Sequence, residues 1–513
     1  SYETYDERHI PLRFRRPHNS NGTGTGTWAD RPGHNLHYPD IAVPLEVHPQ
    51  FTIEAGKNQS IVVDIYIPKT AQNTLYFGEL IVTEGTTERA RIPVELVVCD
   101  FTLPDEPAAK SLLVVGYSDV CNRYTGIQYP TGGTIEDSLC NIIRQRHFQL
   151  AHRHLISVID ANIDGAVFNN DHPRDYWLSA LDGSLFSPAA GYFGPGENKG
   201  NGVFSIGTYG SWNWDGNDTT EVYLHTNNWV NWFSNNAPNT EYFLYLIDES
   251  NNYGQMEQWS SIIKSNPGPG SQMPIFATID LPVSQDSVPS LDIAASWITV
   301  GITNLWEAAL LQQQSNPGKN FYCYNGKRPA TGSFAIEDDG VSLRQLIWAQ
   351  KKKAIDRWFY WESTYYNNFQ GGTGQTDVFN TAQTFGGCCT NDTIIGETGW
   401  NYSNGDGVLF YPGTDSVFPA SSYNIPGPIA SLRLKLWRRG IQDAAYIDMA
   451  MNMDSLATQA LIDTMIPAVL WEHGVADTND PTWVRTDISW SVNHNDWEEA
   501  RKEMADIIGG CGM

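Results

Sequence analysis

Positive charge is scarce in this sequence. Its 513 residues include 32 Lys and Arg against 58 Asp and Glu, a formal charge of −26. So acidic a chain repels phosphate backbones, which argues against nucleic acid and anionic membrane surfaces as partners. Long apolar runs are missing as well. None approaches the ~20 residues a helix needs to cross a bilayer, so no membrane insertion is expected. Cysteine is sparse: seven do not make a disulfide framework at this length, and an odd number leaves at least one thiol unpaired within the chain. Cys388 and Cys389 are adjacent, and a bond between them would strain the backbone. There is no phosphate-binding glycine loop and no Ser-His-Asp nucleophile elbow. His152 and His154 have no evident third ligand, the Asp215–Asp218 stretch does not meet the EF-hand spacing, and Glu337–Asp339 reads as a solvated loop. No metal and no cofactor are expected.

Aromatic residues, by contrast, are plentiful. There are 18 Trp, 24 Tyr and 20 Phe, together 12% of the chain, too many for a disordered polymer. Flat rings suit sugars, and they suit ordinary cores equally. Sequons of the Asn-x-Ser/Thr type stand at Asn21, Asn58, Asn217, Asn391 and Asn401. With the acidic composition and a first residue of Ser rather than Met, they lead to the expectation of a secreted, extracellular glycoprotein.

Residues 1–45, with the tract NSNGTGTGT at 19–27, read as an irregular arm. Residues 46–105 carry short β-type runs at 51–54, 61–67, 75–83 and 91–101 with turn residues between them, which predicts a β-sandwich. From about 106 to 450 apolar strands alternate with helices. Candidate strands are 111–117, 155–160, 242–248, 274–280, 297–303, 320–325 and 358–361. Candidate helices are 134–149, 220–235, 255–264 and 343–355, with a Gly/Asn/Trp-rich insertion at about 165–215. Repeated βα units over this length predict an α/β fold, a (β/α)8 TIM-like barrel preceded by the sandwich. A doubly wound sheet is the rival, but no glycine-rich turn follows the first strand. Residues 451–513 are predicted as C-terminal helices packing on the barrel.

In such a barrel reactive groups gather where strands end at the C-terminal face. Asp248 and Glu249 end the strand YFLYLI. Two adjacent carboxylates at the end of a buried strand are expected to split their affinity for protons, one ionised and one protonated. That is the pairing glycosidic bond cleavage uses, an acid for the leaving oxygen and an anion beside the ring. The alternative is a helix cap with a first-turn acid. Asp160, Asp280, Asn325 and Glu362 end or follow other strands, each a capping residue taken singly but together a set that converges on one cleft. Trp297, Trp306, Tyr322, Tyr324, Trp361, Tyr365 and Tyr366 are placed near the same rim, for sugar stacking or for core packing.

The stretch SLRQLIWAQKKKAIDRWFYWESTYY at 342–366 resembles the helix and aromatic-strand block of the family called domain of unknown function 4091. GDGVLFYPG at 405–413 is its closest match, and SLRLKLWRRGIQDAAYI at 431–447 resembles its S-x-R-x-x-x-x-R-D-G-x-x-D segment, with Arg439 in place of the usual Asp and Ala445 where Glu is common. That family is related to the family 123 glycoside hydrolases, which act on terminal β-linked N-acetylgalactosamine. The resemblance implies that Asp248 orients the 2-acetamido group of the substrate, that Glu249 is the general acid and then base, and that no enzyme nucleophile is needed. It also places Asp406 and Tyr411 near the sugar, against the alternative that this loop only sets turn geometry. Arg344, Arg433 and Arg438 are expected to be structural, with Asp443 a natural partner. Two rival readings stand beside this one. In the first, Glu362 is a nucleophile opposite Glu249. In the second, the chain is a non-catalytic glycan-binding or structural surface protein capable of self-assembly.

Overall fold

The computed structural model describes residues 2–11 (as backbone), 37–56, 58–161, 171–297, 303–326, 330–336, 338–367, 374–382, 384, 404–473 and 488–511. The 19–27 tract, the sequons at Asn21, Asn391 and Asn401, Glu337, and Cys388–Cys389 lie outside them.

The N-terminal region departs from expectation. Strand β1 (Tyr2–Pro11) pairs antiparallel with β2 (His37–Pro44) on one side and β3 (Ile61–Ile65) on the other. The arm therefore contains two strands, and a boundary at 45 cuts through one sheet. Strand β2 is docked rather than loose. Asp40, Ile41, Ala42 and Val43 are all buried, and Asp40 pairs with Arg433 at 2.8 Å. Strands β4 (Leu75–Glu84) and β5 (Thr87–Val97) form a separate antiparallel hairpin. A sandwich needs two sheet faces buried against each other. Here Phe77, Ile81 and Ile92 are 73, 52 and 49% exposed, so the expected sandwich core is not formed.

The barrel is as expected in kind. Strand β6 (Ser111–Val115) leads into α1 (Tyr117–Thr125) and α2 (Ile135–Arg153). Strand β7 (Ser157–Asp160) leads to α3 (Asp175–Leu181), and β8 (Val203–Ile206) to α4 (Thr219–Asn236). Then come β9 (Glu241–Ile247), α5 (Tyr253–Lys264), β10 (Ile275–Thr278) and α6 (Leu281–Ser287). Strand β11 (Ile293–Trp297), α7 (Thr303–Gln314), β12 (Asn320–Tyr324), α8 (Ser342–Lys352) and β13 (Arg357–Tyr360) complete the circuit. A small ribbon of β14 (Phe410–Pro412) and β15 (Pro428–Ala430) precedes α9 (Leu432–Met453), α10 (Ser455–Met465) and α11 (His494–Ile508). Strands β6 to β13 form one eight-stranded parallel sheet in the order β7-β6-β13-β12-β11-β10-β9-β8, a nearly closed barrel.

Side-chain alternation builds this barrel. Leu112, Val114, Phe243, Tyr245, Phe276, Tyr322, Tyr324 and Phe359 fill the interior, while Leu113, Val115, Leu244, Leu246, Cys323 and Trp358 face the helices. Both faces are buried, so these strands read as continuous apolar runs. Strands β7 and β8 exchange no backbone ladder, and the buried Asn201 side chain bridges them instead. Its Oδ1 accepts from Val158 N at 2.9 Å, and its Nδ2 donates to Val158 O at 2.9 Å and Val203 O at 2.6 Å. Two sequence assignments move. Strand β8 lies inside the region read as an insertion; of the strand placed at 297–303, residues 298–302 lie outside the described residues, while Trp297 ends β11 and Thr303 opens α7.

Helices α10 and α11 pack on α8 and α9 through Trp348, Ile447, Ile462, Trp497 and Met504. At that junction the buried Asp443 accepts from Arg344 at 2.8 Å, from Arg501 at 2.7 Å and from Trp348 Nε1 at 3.2 Å. Arg439 reaches Glu498 on α11 at 2.6 Å, which accounts for an Arg at that position. A disulfide joins Cys99 to Cys511, and Asp100 N donates to Gly510 O at 2.8 Å beside it. Cys121, Cys140 and Cys323 are buried free thiols.

Candidate active site

The C-terminal strand ends carry an unusual set of backbones. Tyr209 after β8, Glu249 after β9 and Asn325 after β12 have φ of 60, 42 and 59°. Non-glycine residues occupy that left-handed region at a cost, and such strain gathers at functional sites. Glu249 is the most telling of the three. Its twisted backbone turns it out of the strand line, and its N–H donates to Thr278 Oγ1 on β10.

The two adjacent acids are held differently. Asp248 Oδ1 accepts from Tyr245 Oη at 2.6 Å and from Thr278 Oγ1 at 2.9 Å. Glu249 Oε1 accepts from Tyr324 Oη at 2.7 Å. Tyr245 and Tyr324 rise from the barrel interior, so the floor of the cleft is built from phenols whose rings are core. Burial pushes both phenols up, and the neighbouring carboxylates push them further. They therefore remain hydrogen-bond donors at any ordinary pH. The expected dry pair is corrected on one point: Asp248 is half-buried, whereas Glu249 is exposed. The turn at Glu249 takes it out of the line of the apolar strand and leaves it exposed to solvent.

A second acid pair lies on the far side. Glu362 follows β13 and is 5% exposed; Asp119 in the first turn of α1 is 8% exposed. Burial, with Asp119 nearby, pushes Glu362 up to about 8, while desolvation pushes Asp119 up to about 6. Tyr209 joins the two sides: it packs over the barrel interior, its phenol donates to Trp361 O, and its titration responds to Glu362, Asp248 and Glu249 in that order after burial.

The other sequence candidates divide. Trp361 and Tyr365 are half-buried, with ring centroids 5.4 Å apart, and Trp361 Nε1 donates to Asp406 Oδ1 at 2.9 Å. Asp406 also accepts from Tyr360 Oη at 2.8 Å, so it fixes the indole of the rim. Asp280 is exposed after β10 and acts electrostatically on Tyr324. Trp297 is 48% exposed at the end of β11. Asn325 holds β12 to β13 through Trp358 Nε1 at 2.6 Å and Trp361 N at 3.3 Å. Asp160 is buried and takes Tyr176 Oη at 2.7 Å and Trp177 Nε1 at 2.9 Å, a positioning role.

Four residues are corrected away from the rim. Trp306 on α7 is 4% exposed and stacks on Trp471 behind the barrel wall. Tyr411 and Tyr366 belong to a satellite core with Ile41 and Val43, where Tyr411 donates to Asp40. Tyr322 sits near the opposite end, beside Arg357. There a cavity of about 420 Å³ opens among Lys110, Glu241, Tyr322 and Asp356, away from the strand C-termini. The sequence reading missed Gly116, Asp119, Tyr209, Tyr245 and Thr278. A signal existed for Asp119 in the acid after SLLVVGYS, disguised as a first-turn helix residue.

Among the described residues no group of three or more His, Cys, Asp or Glu side chains is arranged for a metal ion. His152 and His154 bond to the carbonyls of Gly196 and Leu150, and Asp218 caps α4. No described helix is long and apolar enough to cross a membrane.

No known protein-family model and no curated protein matches this chain. The likeness to domain of unknown function 4091 therefore rests on the quoted segments. Among solved structures, a family 123 glycoside hydrolase from Clostridium perfringens is similar at 13% identity, covering 99% of this chain and 84% of that chain, with a TM-score of 0.57. At this identity the likeness shows the fold, which is that of a glycosidase. A family 39 glycoside hydrolase from Bacteroides cellulosilyticus (8% identity, 86% of this chain and 77% of that chain, TM-score 0.28) is too distant to bear on the argument. The Ruminococcus gnavus β-glucuronidase (9%, 62% and 55%, 0.26) is equally remote.

Proposed function

We propose that this protein is a glycoside hydrolase that removes a terminal β-linked N-acetylhexosamine, GalNAc-like, with retention of configuration through the substrate's own acetamido group. One observation carries the reading: adjacent acids at the end of β9, the first pinned by two hydroxyl donors and the second turned out of the strand line, exposed, with one. Asp248 would accept the acetamido N–H and hold that group under the anomeric carbon. The acetamido oxygen attacks C1 as the C1–O bond breaks, and Glu249 gives its proton to the leaving oxygen. Water then adds to C1, its proton returns to Glu249, and the acetamido group is released. Such substrate assistance departs from the usual two-carboxylate scheme. The clostridial structure of similar fold is described for glycolipid glycan hydrolysis, and a glycan-borne amino sugar is the substrate class proposed here.

Glu362 as nucleophile is disfavoured by its surroundings. It is buried, raised to about 8, and its Oε1 is committed to Ser363 N at 2.8 Å and Thr364 N at 3.0 Å. A carboxyl group that holds its proton is a poor nucleophile.

The test is turnover of aryl β-N-acetylgalactosaminide and β-N-acetylglucosaminide by wild type and Glu249→Gln. A loss of about a thousandfold or more in kcat is expected for the variant, from removal of acid–base catalysis. A thiazoline mimic of the cyclised acetamido group should inhibit competitively. Tight glycan binding without turnover on any amino sugar would favour the non-catalytic reading. Secretion, and glycosylation at Asn58 or Asn217, belong to the same proposal, and mass measurement of the protein from its native source tests them.

A further inference from the structure

The two buried acids on the β6–β13 side remain unexplained by that mechanism. Glu362 Oε1 caps the turn after β13 and also accepts from Thr364 Oγ1 at 3.2 Å. Asp119 Oδ1 accepts from Asn367 Nδ2 at 3.2 Å. The other oxygen of each acid, Glu362 Oε2 and Asp119 Oδ2, takes no hydrogen bond from any described residue. Both turn toward Gly116. A side chain beginning at Gly116 would meet Asp119 Oδ2 at 3.2 Å, Glu362 Oε2 at 3.3 Å and Thr364 Oγ1 at 3.4 Å. Three oxygens thus face the α-carbon of Gly116, close enough that a Cβ there would be crowded.

Among the described residues no cation pairs with either acid. Arg123 acts on Asp119 only through space, its guanidinium being spent on Asp415 at 2.8 Å, Gln375 at 3.1 Å and Tyr366 O at 3.0 Å. Two buried acids without a cation are costly unless they share a proton or meet a ligand.

We propose that Glu362 Oε2 and Asp119 Oδ2 together hold one ring hydroxyl of the sugar, which makes Asp119 and Glu362 specificity-determining residues of the cleft. The proposal rests on the glycosidase reading. A hydroxyl both donates and accepts, so it fits between a carboxylate and a carboxylic acid. The raised affinities of the pair for protons, driven by burial and, for Glu362, by Asp119 beside it, supply that combination at neutral pH. Gly116 N–H is not available to the ligand, since it donates to Thr364 Oγ1 at 2.8 Å. A ligand carboxylate would be repelled here, so the sugar is neutral at this position.

The experiment is calorimetric binding of methyl β-N-acetylgalactosaminide and its 3-, 4- and 6-deoxy analogues to wild type, Asp119→Asn and Glu362→Gln, with thermal melting as the fold control. Each variant should weaken the parent glycoside by about tenfold to a hundredfold, the range for a hydrogen bond to a charged group. One deoxy analogue should show the same loss on wild type and no further loss on the variants. Should an acid variant fail to fold, Gly116→Ala keeps both acids and crowds their free oxygens with a methyl group at 3.2 and 3.3 Å; its backbone φ of −84° accepts alanine. Turnover and binding unchanged across these variants and analogues would overturn the proposal and leave the hydrolase reading standing. A wild type that neither binds nor cleaves any of the glycosides overturns the hydrolase reading and this proposal with it.

Discussion

The protonation of Glu362 gives stability a defined pH dependence. Its ordinary value is 4.5, and in the folded protein it is pushed up to about 8 by burial beside Asp119. The folded value lies above the unfolded one, so the group's contribution is fully present below about pH 4.5 and is lost as pH rises through about 8. One unit corresponds to about 1.36 kcal/mol, so the wild type should lose about 4 kcal/mol from this group between pH 5 and 9. Unfolding entropy is about 2.1 cal/mol/K per residue, on the order of 1 kcal/mol/K for 513 residues. The loss therefore amounts to about 4 °C of Tm. Differential scanning calorimetry at pH 5, 7 and 9 measures it, with Glu362→Gln as the reference. The glutamine keeps the shape and cannot ionise, so the gap between the two proteins should change by that amount across the range. Asp119, pushed up to about 6, contributes its own loss earlier, from about pH 4 to 6, and is common to both proteins. Parallel melting curves for wild type and variant across the whole range would refute the argument, because they would mean that Glu362 ionises as easily folded as unfolded.

Three further outcomes follow from named contacts. Tyr324→Phe removes the described donor on Glu249 Oε1 and should lower kcat by about tenfold with KM little changed, and the pH–rate profile should move with it. Asp443→Asn leaves Arg344 and Arg501 facing a neutral partner; a cost of about 3–5 kcal/mol is expected, read as a lowered Tm and removed in part by adding Arg501→Met. Asn201→Ala strands Val158 N–H and C=O at the barrel seam, which should cost about 3 kcal/mol and raise hydrogen exchange at the Val158 amide selectively.

Much of the barrel was legible in the sequence because its strands are buried on both faces. SLLVVGY, YFLYLID and NFYCYN stand out as unbroken apolar runs, and an acid after such a run marks a strand end whatever its role. Strand β8 hid because only VFSI is apolar within a stretch of Gly, Asn and Trp, and because a side-chain amide does part of the pairing a longer strand would do. The sandwich was misread because period-two alternation reports a possible face, not whether anything covers it. Phe77 and Ile92 show the pattern and remain in solvent. Tyr411 and Asp406 lie in one motif, GDGVLFYPG, yet one ends in a satellite core and the other fixes a rim indole. Spacing within a loop carries no information about which way its residues turn. Asp119 escaped for a related reason: a first-turn acid on a helix has an ordinary explanation until Gly116 and Glu362 are seen beside it.

The bond between Cys99 and Cys511 spans 412 residues of sequence. It turns the barrel and its helices into a covalent ring, and the N-terminal strands before Cys99 are not part of it. In the chain-entropy model, closing so long a loop raises stability by about 6 kcal/mol through the unfolded ensemble. A single proteolytic nick anywhere in that ring opens it without releasing a fragment. The nicked protein should migrate at full mass until a reductant is added, and then fall into two pieces.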